Sequence, residues 1–301
     1  MKKYKVLKVN QDFIMKTTSV SNPKGSRTKR DIKQLKSFGK YIEISNRNIG
    51  RMGYFKYSKY TGCSEECSEK LAYEISRVLK LKAAQVEFAQ DEKGIIGIIS
   101  FLFMKHGQSH TDAKEFFNVE DEDRKKTYTI PKIKKFLDTY GENLFADFIG
   151  IMVFDALIGE TDRHEENWGL LKENNTYTLS PIYDCGCNLL REYKEPDKLN
   201  EFENGKKDFE SYIKKSKTYI YKEENQSQFK HFELIEYLYK NYKQNTQAHI
   251  VNLKKLSDKE INKIISKLPN GIINEKHAEY ISKYIKIRRD ILLKMLEQEK
   301  K

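Results

Sequence analysis

Residues 162–171, Asp162-Arg163-His164-Glu165-Glu166-Asn167-Trp168-Gly169-Leu170-Leu171, are followed by Leu179-Ser180-Pro181-Ile182-Tyr183-Asp184-Cys185-Gly186, and these two stretches decide the reading of the chain. Four residues separate Asp162 from Asn167, and a second Asp heads an Asp-x-Gly turn at Asp184. Each residue type has a chemical reason to stand there. A carboxylate at 162 can orient a hydroxyl and accept its proton. An amide oxygen at 167 and a carboxylate at 184 are hard ligands for Mg2+ that already carries phosphate oxygens. The order implies phosphoryl transfer.

The flanks support that order. Leu144 to Leu157 is apolar almost all round, which predicts a buried helix. Its end, Gly159-Glu160-Thr161, delivers Asp162 into a loop. Trp168 to Leu171 and Tyr177 to Leu179 read as a hairpin, and Pro181-Ile182-Tyr183 then sets Asp184 at a strand end. Asp and Asn also populate ordinary turns, but Asp-Arg-His has no turn logic. A zinc peptidase reading of His164-Glu165 fails, because the second His would fall at Trp168.

Upstream, the first ~105 residues carry short β-branched or aromatic runs. These are Tyr4 to Val9, Tyr41 to Ser45, Gly53 to Tyr57, Ala84 to Ala89 and Ile95 to Phe103. One amphipathic helix interrupts them, with Ser68 as its expected cap and Leu71, Ile75, Val78 and Leu79 at helical spacing. Beyond His106 the pattern turns helical at Lys132 to Leu137, Leu144 to Leu157, Phe229 to Tyr242, Asp258 to Leu268 and His277 to Leu296. Pro196 to Gln228 is polar and carries no clear assignment. The expected fold class is α+β and two-lobed, with a strand-rich lobe at 1–107 and a helical lobe at 108–301.

Composition narrows the partners. Fifty-six Lys and Arg against forty-four Asp and Glu give a formal charge of +12. The basic runs are short and lie beside apolar residues, which favours solvated helix faces over a nucleic-acid surface. The longest apolar stretches fall well short of the ~20 residues that span a bilayer, and the start lacks a secretory pattern. A cytoplasmic location without membrane contact is expected. Cys63-x3-Cys67 and Cys185-x-Cys187 lack zinc-knuckle spacing and read as reduced thiols.

Asp162-Arg163-His164-x-x-Asn167 followed by Leu179 to Asp184 resembles the HipA-like serine/threonine kinase family. Gly53-Tyr54-Phe55-Lys56-Tyr57, Ser68-Glu69-Lys70-Leu71-Ala72 and Gly94 to Phe103 are similar to that family's N-lobe. The resemblance implies a protein-kinase-like fold, ATP with Mg2+, Ser/Thr protein substrates and an antitoxin partner. It makes Asp162 the catalytic base, braced by Arg163 and His164, with Asn167 and Asp184 as metal ligands. Lys56, or Lys59 in its place, would hold the phosphates with Glu69 as its partner, and Phe103 would meet adenine. No Gly-x-Gly-x-x-Gly loop is present. Ser21 to Lys29, with Gly25 and Ser26, is the segment that could fold over phosphates. Ser19, Ser21 and Ser26 are candidate autophosphorylation sites there. The additional N-terminal subdomain of full-length HipA toxins has no counterpart in these residues. Two other readings stand beside this one: a small-molecule or lipid kinase, and a pseudokinase or binding module without turnover.

Overall fold

The computed structural model describes residues 2–9, 13–16, 30–34, 52–58, 62–117, 128–224 and 226–297. The early apolar runs form a six-stranded sheet. Its strands are β1 (Val6–Lys8), β2 (Phe13–Lys16), β3 (Arg30–Gln34), β4 (Met52–Lys56), β5 (Val86–Gln90) and β6 (Ile96–Phe101). They lie in the order β1-β5-β6-β4-β3-β2, antiparallel except for the β1–β5 pair. Helix α1 (Glu65–Val78) joins β4 to β5.

The two-residue period of a strand divides the sheet's side chains between two cores. Phe88 and Ile98 pack with Leu71, Ile75 and Leu79 on the α1 side. Their neighbours Ala89 and Ile99 join Leu7, Phe55 and Phe101 on the opposite face. The α1-side core continues without a break into the helical half, through Phe154, Leu157, Ile235 and Ile281. Gly97 sits where β6 crosses Lys56, and an added Cβ there would strike the Lys56 carbonyl oxygen.

The remaining chain forms β7 (Gln108–Asp112), α2 (Ala113–Phe117), α3 (Ile130–Asp138), α4 (Leu144–Ile158), β8 (Gly169–Glu173) and β9 (Thr176–Leu179). After these come α5 (Pro196–Glu203), α6 (Phe209–Lys215), β10 (Lys217–Tyr221), β11 (Gln228–Lys230), α7 (His231–Asn241), α8 (Lys243–Asn252), α9 (Asp258–Ile265) and α10 (Glu275–Lys294). Helix α4 is buried along its length except at Ala146 and Asp147, with α3, α7, α8 and α10 packed around it. The basic charge includes solvated helix pairs such as Lys134–Asp138, Lys214–Glu210 and Lys263–Glu260. Among the described residues no helix is long and apolar enough to cross a membrane.

The structure departs from the sequence reading in several places, among them α8, which the sequence reading did not give. Helix α1 begins a turn earlier than expected, after Ser64, so Ser68 lies inside it and donates to the Asn188 carbonyl at 2.9 Å instead of capping. The helix expected from Phe229 begins at His231, because residues 228–230 pair with β10. The polar Pro196 to Gln228 segment contains α5, α6 and β10. Strand β7, polar and unanticipated, extends the β8–β9 hairpin to three strands, with Asp112 opposite Gly169. The expected strand at Tyr41 to Ser45 lies outside the described residues.

Arg288 in α10 is fully buried. Its Nε donates to Ala156 O at 2.6 Å and its Nη1 to Ile213 O at 2.9 Å, so one guanidinium meets carbonyls in the last turns of α4 and α6. A cation suits helix C-termini, and the ring of Phe232 lies 4.7 Å beneath it. Arg288→Met should therefore lower stability by about 3 kcal/mol, since two buried carbonyls lose their donor. A chemical-denaturation midpoint measures that loss.

Candidate active site

Strand alternation aims Lys56 at α1, because its neighbour Phe55 faces the other core. On that side Lys56 Nζ lies 3.3 Å from Glu69 Oε1 and 2.7 Å from Asp184 Oδ1. Lys56 and Glu69 are 7% and 3% exposed. Charges this dry persist only when each faces its opposite. Glu69 is held in place by the anchoring of α1. Ser64 N–H donates to Arg191 O at 2.9 Å, Glu65 pairs with Arg191, and Glu66 lies 3.1 Å from Lys194 Nζ. At the far end Asn252 Nδ2 donates to Leu79 O at 2.7 Å.

Asp184 arrives from the opposite direction. Ile182 and Ala83 form a parallel bridge, with the Ala84 N–H donating to Ile182 O at 2.8 Å. Asp184 itself has φ 54°. The left-handed conformation costs a non-glycine residue roughly 1 kcal/mol, and Asp tolerates it better than most. Strain of this kind gathers at working sites. With a side chain 30% exposed, Asp184 remains accessible while paired to Lys56.

The loop bearing Asp162 is set by α4 and one arginine. Helix α4 ends at Gly159 with φ 74°, where any Cβ would collide with the Tyr284 hydroxyl. Arg163 is buried and grips Asp155 with two bonds, Nε to Oδ2 and Nη2 to Oδ1, both 3.0 Å. Its Nη1 donates to Asn167 O at 2.9 Å and to Tyr183 O at 2.7 Å. One side chain thus ties α4, the Asp162 loop and the segment leading into Asp184. Burial opposes its charge, but the Asp155 carboxylate outweighs burial and holds the guanidinium well above its ordinary range. Asp155→Ala would leave that cation buried and unpaired, a loss of about 3–5 kcal/mol. A thermal-melting comparison with wild type checks it.

Asn167 donates its amide nitrogen to Asp162 O at 2.6 Å, with His164 Nε2 3.3 Å away. That contact leaves Oδ1 as the amide's free end. His164 also stands 3.9 Å from Asp162 Oδ1, and Cys187 Sγ donates to Asp162 Oδ2 at 3.5 Å. Asn167 Oδ1 and the Asp184 carboxylate are hard oxygens and fit Mg2+. Among the described residues no group of three or more His, Cys, Asp or Glu is disposed to hold a metal unaided. A Mg2+ site of one carboxylate completed by substrate phosphates needs no such group.

Lys56, Glu69 and Asp184 are brought together, and so are Asp162, Arg163, His164 and Asn167. Phe103 stacks on Tyr183 at 5.5 Å and meets His110 edge-on at 5.3 Å, so its ring joins an aromatic cluster beside the segment leading into Asp184. Gly25, Ser26, Ser19, Ser21 and Lys59 lie outside the described residues. Three contributors escaped the sequence reading. Asp155 did leave a signal, being a carboxylate amid the apolar residues of the helix's last turns, which demands a buried cation. Tyr183 left none: its hydroxyl donates to Asp112 at 2.9 Å across the unforeseen β7. The third is Glu160, buried beneath both loops.

Comparison with known proteins gives the family. The family profile described as the HipA-like C-terminal domain matches residues 24–268. The chain belongs to this family. The serine/threonine-protein kinase CtkA of Helicobacter pylori is 46% identical to this HipA-like chain over 44 residues, 14% of the chain and 14% of that relative's length. The crystal structure of a Helicobacter pylori proinflammatory kinase CtkA superposes with a TM-score of 0.71 at 19% identity, covering 90% of this chain and 95% of that one. HipA of Shewanella oneidensis, solved with HipB and its operator DNA, superposes with a TM-score of 0.52 at 11% identity over 92% of this chain and 67% of that one. The fold is therefore the α+β, two-lobed, protein-kinase-like fold expected from the sequence.

Proposed function

We propose that this HipA-like chain is an ATP- and Mg2+-dependent serine/threonine protein kinase that phosphorylates a cytoplasmic protein and itself, in a toxin-like regulatory role restrained by an antitoxin. Lys56 held between Glu69 and Asp184 carries this reading, since Asp184 comes from a distant part of the chain to meet a buried Lys56–Glu69 pair. The nucleotide takes the cleft between residues 1–107 and 108–301, with adenine near Phe103. Lys56 grips the α- and β-phosphates and Glu69 steadies it. Asp162 accepts the proton of the substrate hydroxyl as its oxygen attacks the γ-phosphorus; the bond to the β–γ bridging oxygen breaks and ADP leaves. Asn167 and Asp184 would hold Mg2+, which when bound would neutralise the phosphate oxygens. Direct nucleic-acid or membrane contact forms no part of this proposal.

Incubating purified wild type and Asp162→Asn with γ-labelled ATP and Mg2+, with and without cell lysate, tests it. Label on Ser or Thr of the chain or a lysate protein, absent in the variant, is expected. Label confined to a small molecule or lipid would replace the protein-kinase reading, and no transfer despite Mg2+-dependent ATP binding would make the chain a pseudokinase.

A further inference from the structure

Just past Gly159, Glu160 turns its side chain beneath both loops of the site and is 1% exposed. Its Oε1 accepts the backbone N–H of Asp162 at 2.8 Å. Its Oε2 accepts the backbone N–H of Cys187 at 3.2 Å and the side-chain amide of Asn188 at 2.9 Å. Its own carbonyl accepts from His231 Nε2 at 2.7 Å, which pins the residue from the α7 side. Three donors converge on one carboxylate, two from the turn that follows Asp184 and one from the residue proposed as base.

We propose that Glu160 is a positioning residue whose two oxygens set the separation between the Asp162 carboxylate and the Asp184 turn. Its catalytic consequence rests on the roles proposed for Asp162 and Asp184; the physical coupling of the two loops does not. The chemistry of the donor set makes the acid specific. A carboxylate accepts at both ends. The isosteric glutamine must turn its NH2 toward one set of N–H donors, and because one short side chain spans both loops, that repulsion shifts it off the donors of both. Thr161 also donates to Cys187 O, from its backbone N–H and its hydroxyl, both at 3.1 Å. Those bonds keep the loops adjacent in a Glu160 variant while their register is lost.

The test is Glu160→Gln, read by amide hydrogen exchange and by steady-state kinetics. Exchange at the Asp162 and Cys187 amides should both quicken by roughly tenfold or more, with the unfolding midpoint near wild type. The kcat should fall by about 10–100-fold while KM for ATP stays within about threefold, the signature of misplaced rather than unbound groups. Faster exchange in only one loop, or unchanged kcat in an active wild type, overturns the proposal. So does a fall in midpoint with exchange rising throughout. Should Glu160→Gln fail to fold, Asn188→Ala serves. Exchange at the Asp162 amide, which Asn188 does not touch, should still quicken, and no change there overturns the coupling. A wild type without phosphotransfer would refute the kinase reading alone, because exchange still decides the coupling.

Discussion

Asp162→Asn is expected to bind nucleotide as wild type does while transferring phosphate about 10²–10⁴-fold more slowly. The substitution keeps the shape of the side chain and removes only the proton acceptor. Two backbone contacts that place residue 162, its N–H to Glu160 and its carbonyl from Asn167, survive the change, and the Cys187 thiol can still donate to the amide oxygen. Single-turnover transfer from labelled ATP, measured beside ATP-dependent thermal stabilisation, separates the two effects. Unaltered turnover would sink the role of Asp162. Parallel loss of transfer and stabilisation would show that the residue is needed for binding instead.

Asp184→Ala should have the opposite profile at the binding step. Without nucleotide, Lys56 keeps Glu69 as a counter-charge, so the cation is not stranded. With saturating ATP and Mg2+, wild type should gain roughly 3 kcal/mol at a hundredfold excess over Kd, and the variant should gain almost none. Asp184→Asn is the control for backbone strain, since Asn tolerates the left-handed conformation that Ala resists. Melting curves with and without Mg2+ give the comparison. A variant still stabilised by Mg2+ and ATP would remove Asp184 from the metal site.

How much of this was legible in the sequence follows from what sequence patterns encode. The order Asp162, Asn167, Asp184 and the hairpin between them were readable because each is local. Lys56 was readable as part of a strand pattern, while its pairing with Glu69 came from the family resemblance and not from local pattern. What eluded reading was contact between distant polar residues. Strand β7 has the composition Gln-Ser-His-Thr-Asp and is a strand only because β8 offers it a partner, so context outweighed propensity. The start of α1 was misjudged because Ser68 looks like a cap, while the residue's hydroxyl serves Asn188 across the core. Glu160 looked like a helix-end carboxylate, and its role depends on two loops that only folding brings over it.

The anchoring of α1 has a bearing on cooperativity. This helix shares one core with the six-stranded sheet and is fastened at both ends to residues beyond 187. It belongs to both lobes at once, so neither lobe can shed it without opening the other's interior. The alignment of Glu69 with Lys56 is thus underwritten by the folding free energy of the entire molecule, where a helix fastened to one lobe alone would depend on a local equilibrium of its own.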